Sequence, residues 1–161
     1  MDRTGEDTTR ADGIGNPWKR GHVNLRNERL LSAGLLVLRL GTGALLLYGH
    51  GWGKLTKFAE RAPEFADPIG LGPVVSFGLV VFAEVFCAAA VMLGLATRLA
   101  AVPIVIFSLV AVFVQHAADP FADKEKALLY GVPALALLLT GGGRYALDTV
   151  IGKLRRGRRA E

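Results

Sequence analysis

The chain has 161 residues, 52% of them apolar, with nineteen Lys and Arg against fourteen Asp and Glu for a formal charge of +5. Its mean hydropathy is +0.38, too apolar for a soluble domain of this size, which excludes a soluble enzyme, a nucleic-acid binder and a disulfide scaffold. A single cysteine, Cys87, allows no intramolecular disulfide, no CxxC pair and no cluster site, so any redox chemistry must be borrowed.

Residues 1–29 are polar and contain no apolar core of signal-peptide length. They read as a disordered cytoplasmic N-tail, with Trp18, Lys19 and Arg20 near the headgroups. Four apolar stretches follow, 30–51, 73–94, 99–115 and 127–143, of 22, 22, 17 and 17 residues, in which Arg39 and Glu84 are the only charged side chains. Each approaches the roughly 20 residues a helix needs to cross about 30 Å of hydrocarbon, which predicts four spans. Between the first two, Trp52, Leu55, Phe58, Ala59 and Ala62 recur at helical spacing while Lys54, Lys57, Glu60, Arg61 and Glu64 take other faces. That pattern predicts a short interfacial helix on the outer leaflet, ended by Pro63 and Pro68. Pro73 suits the first turn of span two, and Pro103 and Pro133 fall inside spans three and four, where a lost backbone donor bends a helix.

The expected fold is all-α, an integral membrane antiparallel four-helix bundle over residues 30–148, followed by a basic cytoplasmic C-tail at 149–161. Gly41, Gly43, Ala83 and Gly131 would let the helices approach closely. Thirteen basic residues lie in the two tails and the 95–98 turn, against five in the other two loops. By the positive-inside rule both termini are cytoplasmic, and topology rather than nucleic acid accounts for a pI of 9.7.

Arg39 and Glu84 each lie near the middle of a span, so adjacent antiparallel helices would bring them to one depth and pair them. Alone in hydrocarbon each would cost about 2.5–3.5 kcal/mol, which a bidentate pairing offsets. Two readings of the pair stand: a bolt that fixes register, or a polar floor beneath a ligand or a proton step. A second cluster gathers at the outer face: span one exits through His50, Gly51, Trp52, Gly53 and Lys54, span three through His116, and span four enters through Lys124, Glu125 and Lys126, with Tyr130 one turn in. His50 is eleven residues beyond Arg39, three turns and roughly 16 Å along the same side of the helix, so a polar column could join the two groups. The candidate ligand-binding residues are His50, Trp52, Lys54, His116, Glu125 and Tyr130. A quinone carbonyl would find donors there and its tail an apolar cleft; a haem could use His50 and His116; or the residues anchor helix ends in the headgroups. No metal motif, phosphate loop or catalytic constellation is present in the sequence.

These residues taken in order, Arg39-Leu40-Gly41, Tyr48, His50-Gly51, Lys54-Leu55, Glu84, Gly94, Thr97-Arg98, His116, Lys124-Glu125, Leu128-Leu129-Tyr130, then Gly141 to Arg144, Tyr145, Leu147 and Asp148, resemble the DoxX family over roughly 30–150. The resemblance implies a bacterial four-helix inner-membrane protein, related to the DoxD subunit of thiosulfate:quinone oxidoreductase and similar in layout to vitamin K epoxide reductase-like bundles. Arg39, His50, Lys54, Glu84, His116, Glu125 and Asp148 match the polar positions of the pattern. Ala146 stands where the closing motif often has Ser, and the dithiol of a thiol-oxidising relative is absent. The functional expectation is a small membrane subunit of a quinone-linked oxidoreductase or electron-transfer complex, with no intrinsic cofactor, a quinone as ligand, and the bilayer, other subunits or a second copy as partners. The alternative is a non-enzymatic structural or assembly subunit.

Overall fold

The computed structural model describes residues 25–157, and every regular element among them is helical. The first helix is built from α1 (Leu25–Leu46), a π-helical turn π1 (Leu47–Gly51) and α2 (Trp52–Thr56), which follow one another without a break. Lys57, at φ −110° and ψ 29°, stops it, and α3 (Phe58–Arg61) adds a single turn before Pro63. The second consists of α4 (Pro73–Val81), π2 (Phe82–Cys87) and α5 (Ala88–Leu93), with Pro73 in its first turn as its missing N–H favours. Left-handed Gly94 ends it. The third joins α6 (Thr97–Val110) to π3 (Ala111–Gln115), and α7 (Phe121–Thr140) and α8 (Leu147–Gly157) complete the order.

Three of these helices, Arg26–Thr56, Pro73–Leu93 and Thr97–Gln115, are long and apolar enough to cross a membrane. The α7 helix carries Asp123, Lys124, Glu125 and Lys126 near its start and is apolar from Ala127 onward. Large apolar side chains such as Val37, Leu99, Phe113 and Leu139 stay exposed, as lipid contact requires. Inward, α1 packs on α5 and α7, and α6 packs on α5 and α7. Leu46, Val91, Ile104, Ala134 and Leu137 fill the seam between them. A second cluster, Ala62, Phe77, Val81 and Val85, sits under the connection from α3 to α4.

Glycines set the register of the first two helices. A β-carbon on Gly43 would lie 2.7 Å from the Ala88 carbonyl oxygen, and one on Gly51 2.5 Å from that of Glu84, so neither position admits a side chain. Residue 51 therefore faces 84, while Arg39 reaches Gly94. This overturns the expected Arg39–Glu84 ion pair. The two lie at levels twelve residues apart on the first helix, roughly 18 Å along its axis. Matching the midpoints of the two apolar stretches misplaced them, because the first helix starts at Leu25 and runs on to Thr56, beyond both ends of its apolar stretch.

Other expectations shift for similar reasons. Trp52–Thr56 extends the first helix, and one turn of α3 packs Phe58 on Phe77 with ring centroids 5.3 Å apart, so no single interfacial helix spans the connection. Helix α1 begins inside the expected N-tail, of which residues 1–24 lie outside the described residues. The segment expected as a basic C-tail from 149 begins within α8, and residues 158–161 lie outside the described residues.

Candidate ligand-binding cavity

The three π-turns converge on one place. In each, the backbone bond spans five residues: Trp52 N–H donates to Leu47 O, Ala88 N–H to Ala83 O, and His116 N–H to Ala111 O. A π-turn widens a helix by one residue and recurs at functional sites. Here the turns carry His50, Glu84 and Ala111, all of which line a cavity of about 290 Å3. Lys54 from α2, Phe107 from α6, and Asp123, Lys126 and Tyr130 from α7 complete much of its wall.

Its polar floor is an ion pair. Lys54 Nζ donates to Glu84 Oε1 at 2.6 Å, with Glu84 only 1% exposed and Lys54 22%. The ammonium also lies 5.7 Å from the centre of the Phe107 ring, close enough for a cation–π attraction. Glu84 Oε2 has no hydrogen-bond partner among the described residues. A buried carboxylate oxygen left unbonded costs free energy, so it marks a place where a donor is wanted. Above it His50 and Tyr130 meet edge to face at 5.1 Å. His116 lines the rim, its Nδ1 2.7 Å from Asp119 Oδ2, while Lys124 Nζ donates to Ala117 O and ties that turn down.

Of the residues singled out from sequence, the cavity brings together Glu84, His50, Lys54, His116 and Tyr130. Trp52 and Glu125 are exposed and are not among its lining residues. Arg39 belongs to the opposite end, where Nη2 donates to Tyr145 O at 2.6 Å and Asp148 supplies nearby negative charge. Asp148 there also accepts from the backbone N–H of Ala96 at 2.9 Å and Thr97 at 3.2 Å, capping α6 from across the chain. Sequence reading missed Asp123 and left Lys126 off the candidate residues, although Asp123, Lys126, Ala127 and Tyr130 follow the i, i+3, i+4, i+7 spacing of one helical face. It also missed the Lys54–Glu84 pairing, which His50 and Lys54 at i and i+4 foreshadow once Gly51 is set against Glu84. Among the described residues no cluster of His, Cys, Asp and Glu is arranged to hold a metal ion.

Comparison with known proteins places this geometry in context. The DoxX family model matches residues 34–117, a stretch that holds all three π-turns together with Lys54, Phe107 and His116 of the cavity wall. The chain is 28% identical over 132 residues to the Escherichia coli (strain K12) protein described as inner membrane protein YqjF, covering 78% of this chain and 98% of that one. No solved structure matches the chain significantly.

Proposed function

The chain belongs to the DoxX family, and from that premise we propose that it is a small multi-pass subunit of a quinone-linked oxidoreductase or electron-transfer complex in a bacterial inner membrane. In this reading α7 is the fourth span of an antiparallel bundle. The excess of basic residues in the two tails and the 95–98 turn over the other two loops supports, by the positive-inside rule, cytoplasmic tails and a cavity near the outer face.

The observation that carries the proposal is the unbonded Glu84 Oε2 beside a cavity ringed by donors. A quinone supplies reversible two-electron, two-proton chemistry, and its headgroup presents carbonyls that need donors and, when reduced, hydroxyls that need acceptors. Lys54, Tyr130 and the histidines offer the first, and Glu84 offers the second. The low-dielectric setting strengthens each such bond. The inner-membrane location of the YqjF relative agrees with the placement. Electrons would come from a partner subunit docked on the bundle.

A second reading, a structural or assembly subunit, has one observation in its favour: the Lys54–Glu84 pair sits where Gly51 locks two helices, and so could serve register alone. Native mass spectrometry on protein extracted gently from its membrane separates the two. Retained quinone that is lost in Tyr130→Phe, with an unchanged melting temperature, supports the ligand site. Partner chains without any quinone, in wild type and variant alike, would establish the structural reading instead.

A further inference from the structure

The polar cavity does not end at His116. A cavity of about 230 Å3 shares Lys54, Ala111 and His116 with it and continues along Val80, Phe107 and Val110. That one in turn shares Phe65, Pro68, Val80 and Val110 with a third, of about 250 Å3, which opens between the second and third helices beside Leu79 and Ile106. Phe107 borders all three. The wall changes from charged to wholly apolar along this path, apart from Ser76.

That Ser76 is not free for a ligand. Its hydroxyl donates to Asp67 Oδ1 at 2.5 Å, and the same carboxylate accepts from Leu71 N–H at 3.1 Å and Gly72 N–H at 2.7 Å. Asp67 thus folds the 67–72 connection back onto the start of α4, and Phe65 is held on Phe77 with ring centroids 5.0 Å apart. Phe65, Pro68 and Ile69 are thereby fixed as one wall of the apolar stretch. A groove so braced is set in shape before anything enters it, unlike a surface that ordinary lipid tails wet in passing.

We infer that the groove from Phe107 to Ile106 and Leu79 holds the apolar tail of the same ligand whose headgroup occupies the Lys54–Glu84 cavity. The inference rests on the quinone reading and adds a tail subsite to it. The occupant is the ligand's own tail because the polar and apolar sections share walls, so an amphipath entering from the bilayer between the second and third helices would deliver its headgroup to Glu84 without leaving hydrocarbon. Affinity would then depend on tail as well as headgroup.

The experiment compares two benzoquinones of identical headgroup, one without a tail and one with a ten-carbon tail, on full-length protein in lipid nanodiscs, corrected for partition into the lipid. Wild type is expected to bind the tailed compound about tenfold more tightly. Ile106→Trp, at a half-exposed position that tolerates bulk without disturbing the core, is expected to remove about tenfold of that preference while leaving the tailless compound within about twofold. Val132→Trp, on the exposed face of α7, controls for a bulky residue in the lipid layer. A photoreactive group at the tail terminus is expected to label the peptide containing Leu79 or Ile106 in wild type, which needs no variant. Equal binding of both quinones with labelling elsewhere overturns the tail subsite while leaving the headgroup site standing. So does an equal loss in Val132→Trp, which would assign the effect to surrounding lipid. Failure of both quinones to bind overturns the headgroup reading and the tail inference together.

Discussion

At the end where Gly94 closes the second helix, Arg39 is packed against that glycine, gives one N–H to the Tyr145 carbonyl and leaves Nε and Nη1 unbonded among the described residues. At the loop end, Glu84 gives one oxygen to Lys54 and leaves the other unbonded beside about 290 Å3 of open space. Both charges are buried among helices read as membrane spans, yet their surroundings differ in kind. Around Arg39 there is no room: a β-carbon on Gly94 would run into its guanidinium and into Ala146. Around Glu84 three helices widen by a π-turn each, and α7 adds Asp123, Lys126 and Tyr130 to the cavity wall. Both charges leave buried polar atoms unbonded; what sets Glu84 apart is that it lines the cavity.

The largest test of this contrast is Gly94→Val. Gly94 is left-handed at φ 74°, where a side chain costs roughly 1–2 kcal/mol even without a clash, and here it would also expel Arg39. Folded yield from the membrane should collapse. Gly53→Ala, with open space around it, should leave melting unchanged or raise it slightly. Next in size is Glu84→Leu, which strands the Lys54 ammonium and should cost about 3 kcal/mol in thermal or chemical unfolding. Adding Lys54→Met should restore most of that loss while leaving ligand retention abolished. A double variant as unstable as the single would mean that the site is held by something other than the pair.

A smaller effect is expected from Asp67. Its hydrogen bond from Ser76, and then those from the backbone of Gly72, Leu71 and Gly70, hold its carboxyl below the usual range. A carboxylate so depressed stabilises the fold fully above its unfolded pKa of about 3.9, and that contribution is lost as pH falls through the lower folded value. The melting-temperature gap between wild type and Asp67→Asn should therefore be constant near neutrality and shrink below about pH 4. A gap that widens on acidification would contradict the Asp67 network. The smallest effect is Trp52→Ala: because the side chain is exposed and outside the cavity lining, quinone retention should match wild type by native mass spectrometry.

Much of this molecule is legible from its sequence. The apolar stretches mark the long helices, Pro73 marks the start of the second, and the order of Arg39, His50, Lys54, Glu84 and His116 carries the family resemblance. His50, Lys54, His116 and Tyr130 meet because they cluster near helix ends on one side of the bundle. What the sequence leaves ambiguous is register. Helix length is set by where hydrogen bonding stops, at Thr56 rather than at the last apolar residue, and a shift of that size reassigns the partners of both buried charges. The π-turns leave no compositional mark, since an extra residue in a turn changes geometry without changing hydropathy. The α8 helix was hidden by its charge: its apolar positions Leu147, Val150 and Ile151 are interspersed with the polar ones that made the segment read as a tail.

The π-turns also constrain how this chain can vary in length. Each accommodates one residue more than an α-helix would over the same rise, so the extra residue is absorbed within the turn and the helix beyond it keeps its phase. Deleting one residue between Phe82 and Cys87 would therefore restore α-geometry and leave Ala88 and Val91 in the seam. It would also close the widened turn that carries Glu84. Substitutions around the cavity alter its lining, whereas a one-residue change in count would move its floor. Within these three turns, the number of residues is as much a part of the site as their identity.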